Sequence, residues 1–213
     1  MDTLVSEVLK TLSDRSFSDN DVIDKFNECQ FELAGEFLFP SLERWDDIDT
    51  NETNVEDLPD DYMRNLRACF DVTNNRKVKV YGSRVLLDRW FPTLDQTGRV
   101  LGVATYQDSS LYYQRIPSAA TTLRINYFAA PTAITIDERP DLINWQLAKP
   151  LLKYYALKEL FSTMEDGIDG GKVNTNHYSA QYMAARERLF LFLGPDQNEP
   201  VDFETEIDYD AYL

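Results

Sequence analysis

The stretch MEDGIDGGKVNTNHYSAQY, Met164 to Tyr182, gathers residue types that could do chemistry: three of the chain's eight glycines, its only histidine and three acids. A phosphate loop would need G-x-x-x-x-G-K-[ST], so that backbone amides cradle phosphates and a hydroxyl holds magnesium. Here Gly171-Lys172 is followed by Val173, and the required first glycine falls on Asp166. A calcium loop would need oxygen ligands at alternating positions. Counting from Asp166 the third position is Ile168, and from Asp169 it is Gly171, so that reading fails too. His177 has no second histidine or thiol nearby to share a metal. G-x-S-x-G and H-E-x-x-H are absent, and a serine triad would have a single unsupported base. The many carboxylates fall in loops that read as solvated, where raised pKa values are not expected. The expectation is a protein without catalytic residues, cofactor or metal, in which Asp166, Gly167, Gly170, Gly171, Lys172 and Asn174 form a structural turn between two helices.

Charge narrows the partners. The net charge is -16 across 213 residues. Residues 41–61 hold nine acids against Arg44 alone, and residues 195–213 hold seven acids and no base, so the remainder reads as nearly neutral. A phosphate-gripping protein shows the opposite balance. An acidic lining would still suit a passage through which DNA must slide without sticking. No apolar run approaches a membrane span and no leader pattern opens the chain, so a soluble, non-secreted protein with no membrane partner is expected. Cys29 and Cys69 lie forty positions apart without a CxxC motif and read as reduced, buried thiols.

The elements that would position the turn follow from periodicity. Leu4, Val5, Val8, Leu9 and Leu12 predict one amphipathic helix; Ser18 or Asp19 caps a second, with Val22, Phe26, Cys29, Leu33 and Phe37 running until Pro40. From Lys77 to Ala133 the pattern alternates, as in Val78/Val80 and Leu123/Ile125/Tyr127. Short runs such as VLLDRWFP, RVLGVATY and SLYYQRIP bring the expectation to five or six strands. Residues 61–72 are open between helix and strand. Helical spacing returns after Pro140, placed at a first helical position, with Pro150 forcing a kink or fresh start. A last helix, capped by Asn174 or Asn176, carries Tyr178, Tyr182, Ala185, Leu189 and Leu193 on one stripe and ends at Leu193-Gly194-Pro195.

The fold class is therefore α+β, a helical bundle from N- and C-terminal helices with an inserted antiparallel β domain and an extended C-terminal tail. The predicted divisions are 1–40 and 136–194 for the bundle, 41–135 for the β-rich insertion with its acidic loop, and 195–213 for the acidic arm. In that arm Val201, Phe203, Ile207 and Tyr209 alternate with Asp202, Glu204, Glu206, Asp208 and Asp210, a period of two. With no neighbouring partner for a hairpin, such a strand would add to a sheet elsewhere. Val201, Phe203, Ile207, Tyr209, Tyr212 and Leu213 are the candidate partner-binding residues.

The series LSDRSFSDNDVIDKFNECQFELAGEFLFPSLE, LPDDYMRNLR, LRINYFAAPTAI and MEDGIDGGKVNTNHYSAQYMAARERLFLFLG resembles the adaptor, or head-tail connector, proteins of tailed bacteriophages. The most specific part is the second helical hairpin, with its acid-glycine turn, Lys172, Asn174 and Tyr178. The resemblance implies a non-enzymatic virion protein at the neck between head and tail, present in the host cytoplasm during assembly. It would form a ring beneath the portal, twelve-fold to match it, and complete the DNA-filled head. Its implied partners are the portal protein, neighbouring adaptor subunits and tail or nozzle proteins, with DNA passing through unbound. A hydrolase with a non-standard site and a tail-tube or tail-terminator protein are the alternatives.

Overall fold

The computed structural model describes residues 1–194 apart from 15, 94–95, 108, 141 and 167–170. It is α+β, with two compact units: Met1–Leu42 with the described part of 131–194, and Glu43–Ala130.

The first unit is helical because its apolar residues recur at three and four. Helix α1 (Asp2–Leu12) buries Leu4, Val5, Val8 and Leu12. Helix α2 (Asp19–Glu36) opens on a reciprocal cap: Ser18 Oγ accepts from the Asp21 amide, and the Asp21 carboxylate accepts from the Ser18 amide at 2.7 Å. It buries Val22, Phe26, Cys29 and Leu33 and stops at Phe37, three residues before Pro40. The half-buried Asn27 side chain accepts from the Ile134 amide at 2.7 Å and donates to the Ile134 carbonyl, while buried Gln30 donates to the Thr132 carbonyl. These bonds pin the chain to α2 where it returns to the helical unit. Asn27→Ala strands the amide of buried Ile134 and is expected to cost about 1–3 kcal/mol. Urea denaturation measures the loss, and faster exchange of the Ile134 amide locates it.

Two helical expectations near the prolines are corrected. Pro140 does not begin a helix; α4 (Trp145–Met164) starts after Asn144, whose side chain accepts from the Gln146 amide. Asn144 supplies a cap oxygen, which Pro140 lacks. Pro150 lies inside α4 without a fresh start, because a ring in the second turn removes one early backbone bond and leaves the later turns whole. Helix α4 touches α1, α2 and α5 (Val173–Leu193), and it accordingly buries residues on more than one face, from Ala148 to Phe161.

The second unit is a curled seven-stranded sheet in the order β1-β7-β3-β4-β5-β6-β2. Its strands are β1 (Glu43–Asp49), β2 (Val55–Asp57), β3 (Tyr62–Asp71), β4 (Arg76–Tyr81), β5 (Gly102–Tyr106), β6 (Ser110–Gln114) and β7 (Thr122–Ala129). It is mixed, not antiparallel throughout: β4 and β5 run parallel, joined over α3 (Arg84–Trp90). VLLDRWFP, expected as a strand, is mostly this helix. Ser83 Oγ accepts from the Leu86 amide and Leu87 packs on Ala104 and Tyr112, so cap and core contact override β-branched composition. Gly102 permits that packing, since a Cβ there would lie 2.6 Å from Tyr81 and 2.7 Å from Leu87. Four strands, not five or six, are described from Arg76 to Ala129. The acidic stretch is not simply a loop, because Glu43–Asp49 pairs with β7 along its length. Residues 62–71, left open above, are a strand between β4 and β7. Leu66, Cys69, Val78, Val103, Tyr113, Leu123, Ile125 and Tyr127 fill the core.

Candidate interaction surfaces

The turn between α4 and α5 is organised by a residue that spacing alone did not single out. The last turn of α4 presents Glu165, whose carboxylate accepts from the amides of Asn174 and Thr175 and from both side chains, at 2.7–3.0 Å. It therefore caps α5 from across the turn, and Asn174 takes part as a donor inside the first turn, not as the expected cap. Asn176 also lies within α5. Desolvation raises the Glu165 pKa, but the four hydrogen bonds outweigh it and hold the carboxyl at about 2. Asp166 lies 3.7 Å from Lys172, and Gly171 adopts φ +80°, a region that favours glycine. Gly167 and Gly170 fall outside the described residues. A glutamate near a helix C-terminus, nine and ten residues before the groups it binds, was the signal available.

Because the folded Glu165 pKa lies below its ordinary 4.5, its contribution is present above that value and is lost as pH falls toward about 2. Glu165→Gln is expected to lower the melting temperature at neutral pH and to flatten the acid limb of stability between those values. A series of melting temperatures against pH checks it; parallel acid limbs for both proteins would overturn it.

His177 is exposed, its ring edge-on to Tyr178 at 5.0 Å. Among the described residues no group of three His, Cys, Asp or Glu side chains is arranged to hold a metal. Both cysteines are buried free thiols; desolvation pushes Cys29 well above its ordinary value and Cys69 up to about 12. Among the described residues Asp71 and Glu56 depart from the solvated expectation: Asp71 is fully buried, and burial raises the Glu56 pKa, beside Tyr113.

Exposed apolar surface is concentrated on α5. Tyr182, Ala185 and Leu189 are buried, while Met183, Phe190, Leu191 and Phe192 are 48–72% exposed. Met183 and Phe190 line an open groove with Phe37, Arg186, Glu36 and Glu187, and Arg186 is bound to Glu36 at 2.7 Å. The run RLFLFL puts apolar side chains all around the helix end, more than one buried stripe can absorb. In the β unit Trp45 and Phe70 meet at 5.9 Å beside Val72. Arg124 lies across the same shallow cavity, held by two 2.7 Å bonds to Asp47. Val201, Phe203, Ile207, Tyr209, Tyr212 and Leu213 lie outside the described residues.

None of these surfaces assembles a nucleophile with a base; they are apolar faces rimmed by paired charges, the anatomy of contact between macromolecules. No helix among the described residues is long and apolar enough to cross a membrane. The family model described as SU10 adaptor protein matches residues 1–201. No curated protein gives a significant match.

Proposed function

The chain belongs to the SU10 adaptor protein family, a phage structural family and not an enzyme class, and from that premise we propose that it is the ring component joining portal to tail. The match over residues 1–201 is the observation that carries this reading, because it spans both compact units. In the proposed virion the helices form the bundle that seats beneath the portal, copies contact one another around a twelve-fold ring, and the ring completes the filled head. Tail or nozzle proteins bind its distal side, and DNA leaves through its centre without specific contacts. The Asp166–Asn174 turn is structural in this scheme, and the arm 195–213 carries contacts to portal or neighbour through the six apolar residues named above. The exposed end of α5 supports it, since a run of Phe190, Leu191 and Phe192 open to water is explained by a surface covered on assembly.

Electron microscopy of the protein mixed with the portal of its own phage tests the reading. Rings seated on portals are expected. Long tubes formed by the protein alone would identify a tail-tube protein instead, and absence of any portal complex would overturn the adaptor role.

A further inference from the structure

We propose that the open edge of β1, Glu43–Asp49, docks an extended, lysine- or arginine-bearing segment of another protein, which adds to the sheet as a further strand. This goes beyond the adaptor reading and does not depend on it.

Strand β1 ends the sheet and pairs with β7 on one side only. In an antiparallel pair, alternate residues turn amide and carbonyl toward the partner. The Thr50 amide donates to the Thr121 carbonyl, so in this register Arg44, Asp46 and Ile48 bond to β7 while Glu43, Trp45, Asp47 and Asp49 turn their backbone groups outward. The Asp47 amide fits that phase, since it donates at 2.8 Å to the Asp46 carboxylate. All of β1 except Ile48 is exposed. An edge of this length is a template for another strand, whereas β2, at the far end of the sheet, runs only from Val55 to Asp57.

Charge selects the occupant. The two edge strands, β1 and β2, carry six acids and one base, whereas the five strands between them carry six bases and one acid. A second copy offering either of its own edges would set acids opposite acids, which destabilises a strand pair. Asp47 is matched by Arg124, and Glu43 lies 3.8 Å from Arg67. Asp46 and Asp49 have no ion-pair partner among the described residues; Asp46 holds the Asp47 amide and Asp49 accepts from the Thr122 hydroxyl. One lies on each face of β1, so cations on either face of an incoming strand meet an unmatched acid. Trp45, 52% exposed and 5.9 Å from Phe70, offers an apolar side chain of that strand a ring to cover.

Asp46 makes the edge selective. Its carboxylate occupies the outward Asp47 amide, so an incoming carbonyl must displace it. A lysine or arginine of the incoming strand takes up the released carboxylate as an ion pair, with charge-assisted hydrogen bonds. A neutral strand leaves the carboxylate unpaired beside the new carbonyl, and an acidic strand adds repulsion to that loss.

A fluorescent peptide of about nine residues alternating lysine and valine, titrated with the full chain, tests the proposal by anisotropy. It is expected to bind about tenfold or more tightly than a lysine-proline peptide of equal charge, which cannot pair as a strand, and than a glutamate-valine peptide. The variants Asp46→Lys and Asp49→Lys should each weaken binding about tenfold, with β1 still paired to β7 as judged by slow exchange of the Ile48 amide. In nitrogen-15 protein the Trp45, Asp47 and Asp49 amides should exchange about tenfold more slowly when the peptide is bound. No binding of the lysine-valine peptide, or equal binding of the lysine-proline peptide, would overturn the proposal. Slowing of the same three amides with rising protein concentration and no peptide would assign the edge to a second copy and overturn it as well.

Discussion

Ending the chain after Gly194 is expected to abolish capture by portal rings while leaving the stability of the rest within about 0.5 kcal/mol. The second half of that expectation follows from α5, which closes before the arm begins: its last residue is Leu193, and the Gly194 amide donates to the Phe190 carbonyl at 3.0 Å. The first half follows from the arm's composition. Ordering an extended segment costs roughly 1–2 kcal/mol per residue in backbone entropy, so only a docked apolar side can offset it. The double substitution Phe203→Ser and Tyr209→Ser should therefore weaken portal binding nearly as much as truncation. Sedimentation with portal and completion of particles are the measurements. Full-affinity binding by the truncated chain would leave the arm a solvated appendage and move the contact to surfaces such as Phe190–Phe192.

Tyr182→Ala is expected to be the most damaging single change in the helical unit, costing about 3–5 kcal/mol. At roughly 2–4 °C per kcal/mol for a chain of this size, the melting temperature should fall by about 6–20 °C. Tyr182 is 1% exposed, edge-on to Tyr155 at 5.3 Å, and its ring lies 4.7 Å from the Lys158 ammonium. Burial raises its pKa far above the ordinary value, so the hydroxyl stays protonated and faces Glu32 at 3.4 Å. Removing the ring opens a cavity where α4 and α5 meet. Tyr182→Phe keeps the ring and loses the hydroxyl's long contact to Glu32 and its hydrogen bond with the Cys29 thiol, so it should cost about 1 kcal/mol. Urea unfolding of the pair separates the two terms; equal losses would show that the hydroxyl, not the ring, holds the helices together.

What could be read from the chain alone was whatever a single element decides for itself. Val22, Phe26, Cys29 and Leu33 marked α2, and Ser18 or Asp19 marked its start, of which Ser18 is the cap, because helix faces and caps are local. Residues 61–72 could not be assigned, since Tyr62–Asp71 owes most of its extended form to pairing with β7, far away in sequence, while β4 pairs only with Cys69–Asp71 across a short turn. Glu43–Asp49 misled for the opposite reason: its acids suggested solvent, and its partner strand and the Asp47–Arg124 bond are seventy or more residues distant. Helix α3 had a local signal, Ser83 three residues before Leu86, that was masked by the apolar run following it. In the turn, Asp166, Gly171, Lys172 and Asn174 do lie together, but Glu165 was missed because its role requires the hairpin to have closed.

The chain leaves the helical unit at Leu42 and re-enters it only at Pro131. On the ribosome, α1 and α2 therefore emerge with Phe26 and Leu33 still lacking α4, and residues 43–144 must be translated before α4 begins. At about 5–20 residues per second that interval is roughly 5–20 s. The nascent amphipathic pair is a target for holding chaperones during it, and the sheet is positioned to fold first although it was begun second. A circular permutant that starts at Pro131 and joins the old ends would synthesise the helices α4, α5, α1 and α2 consecutively, removing the delay.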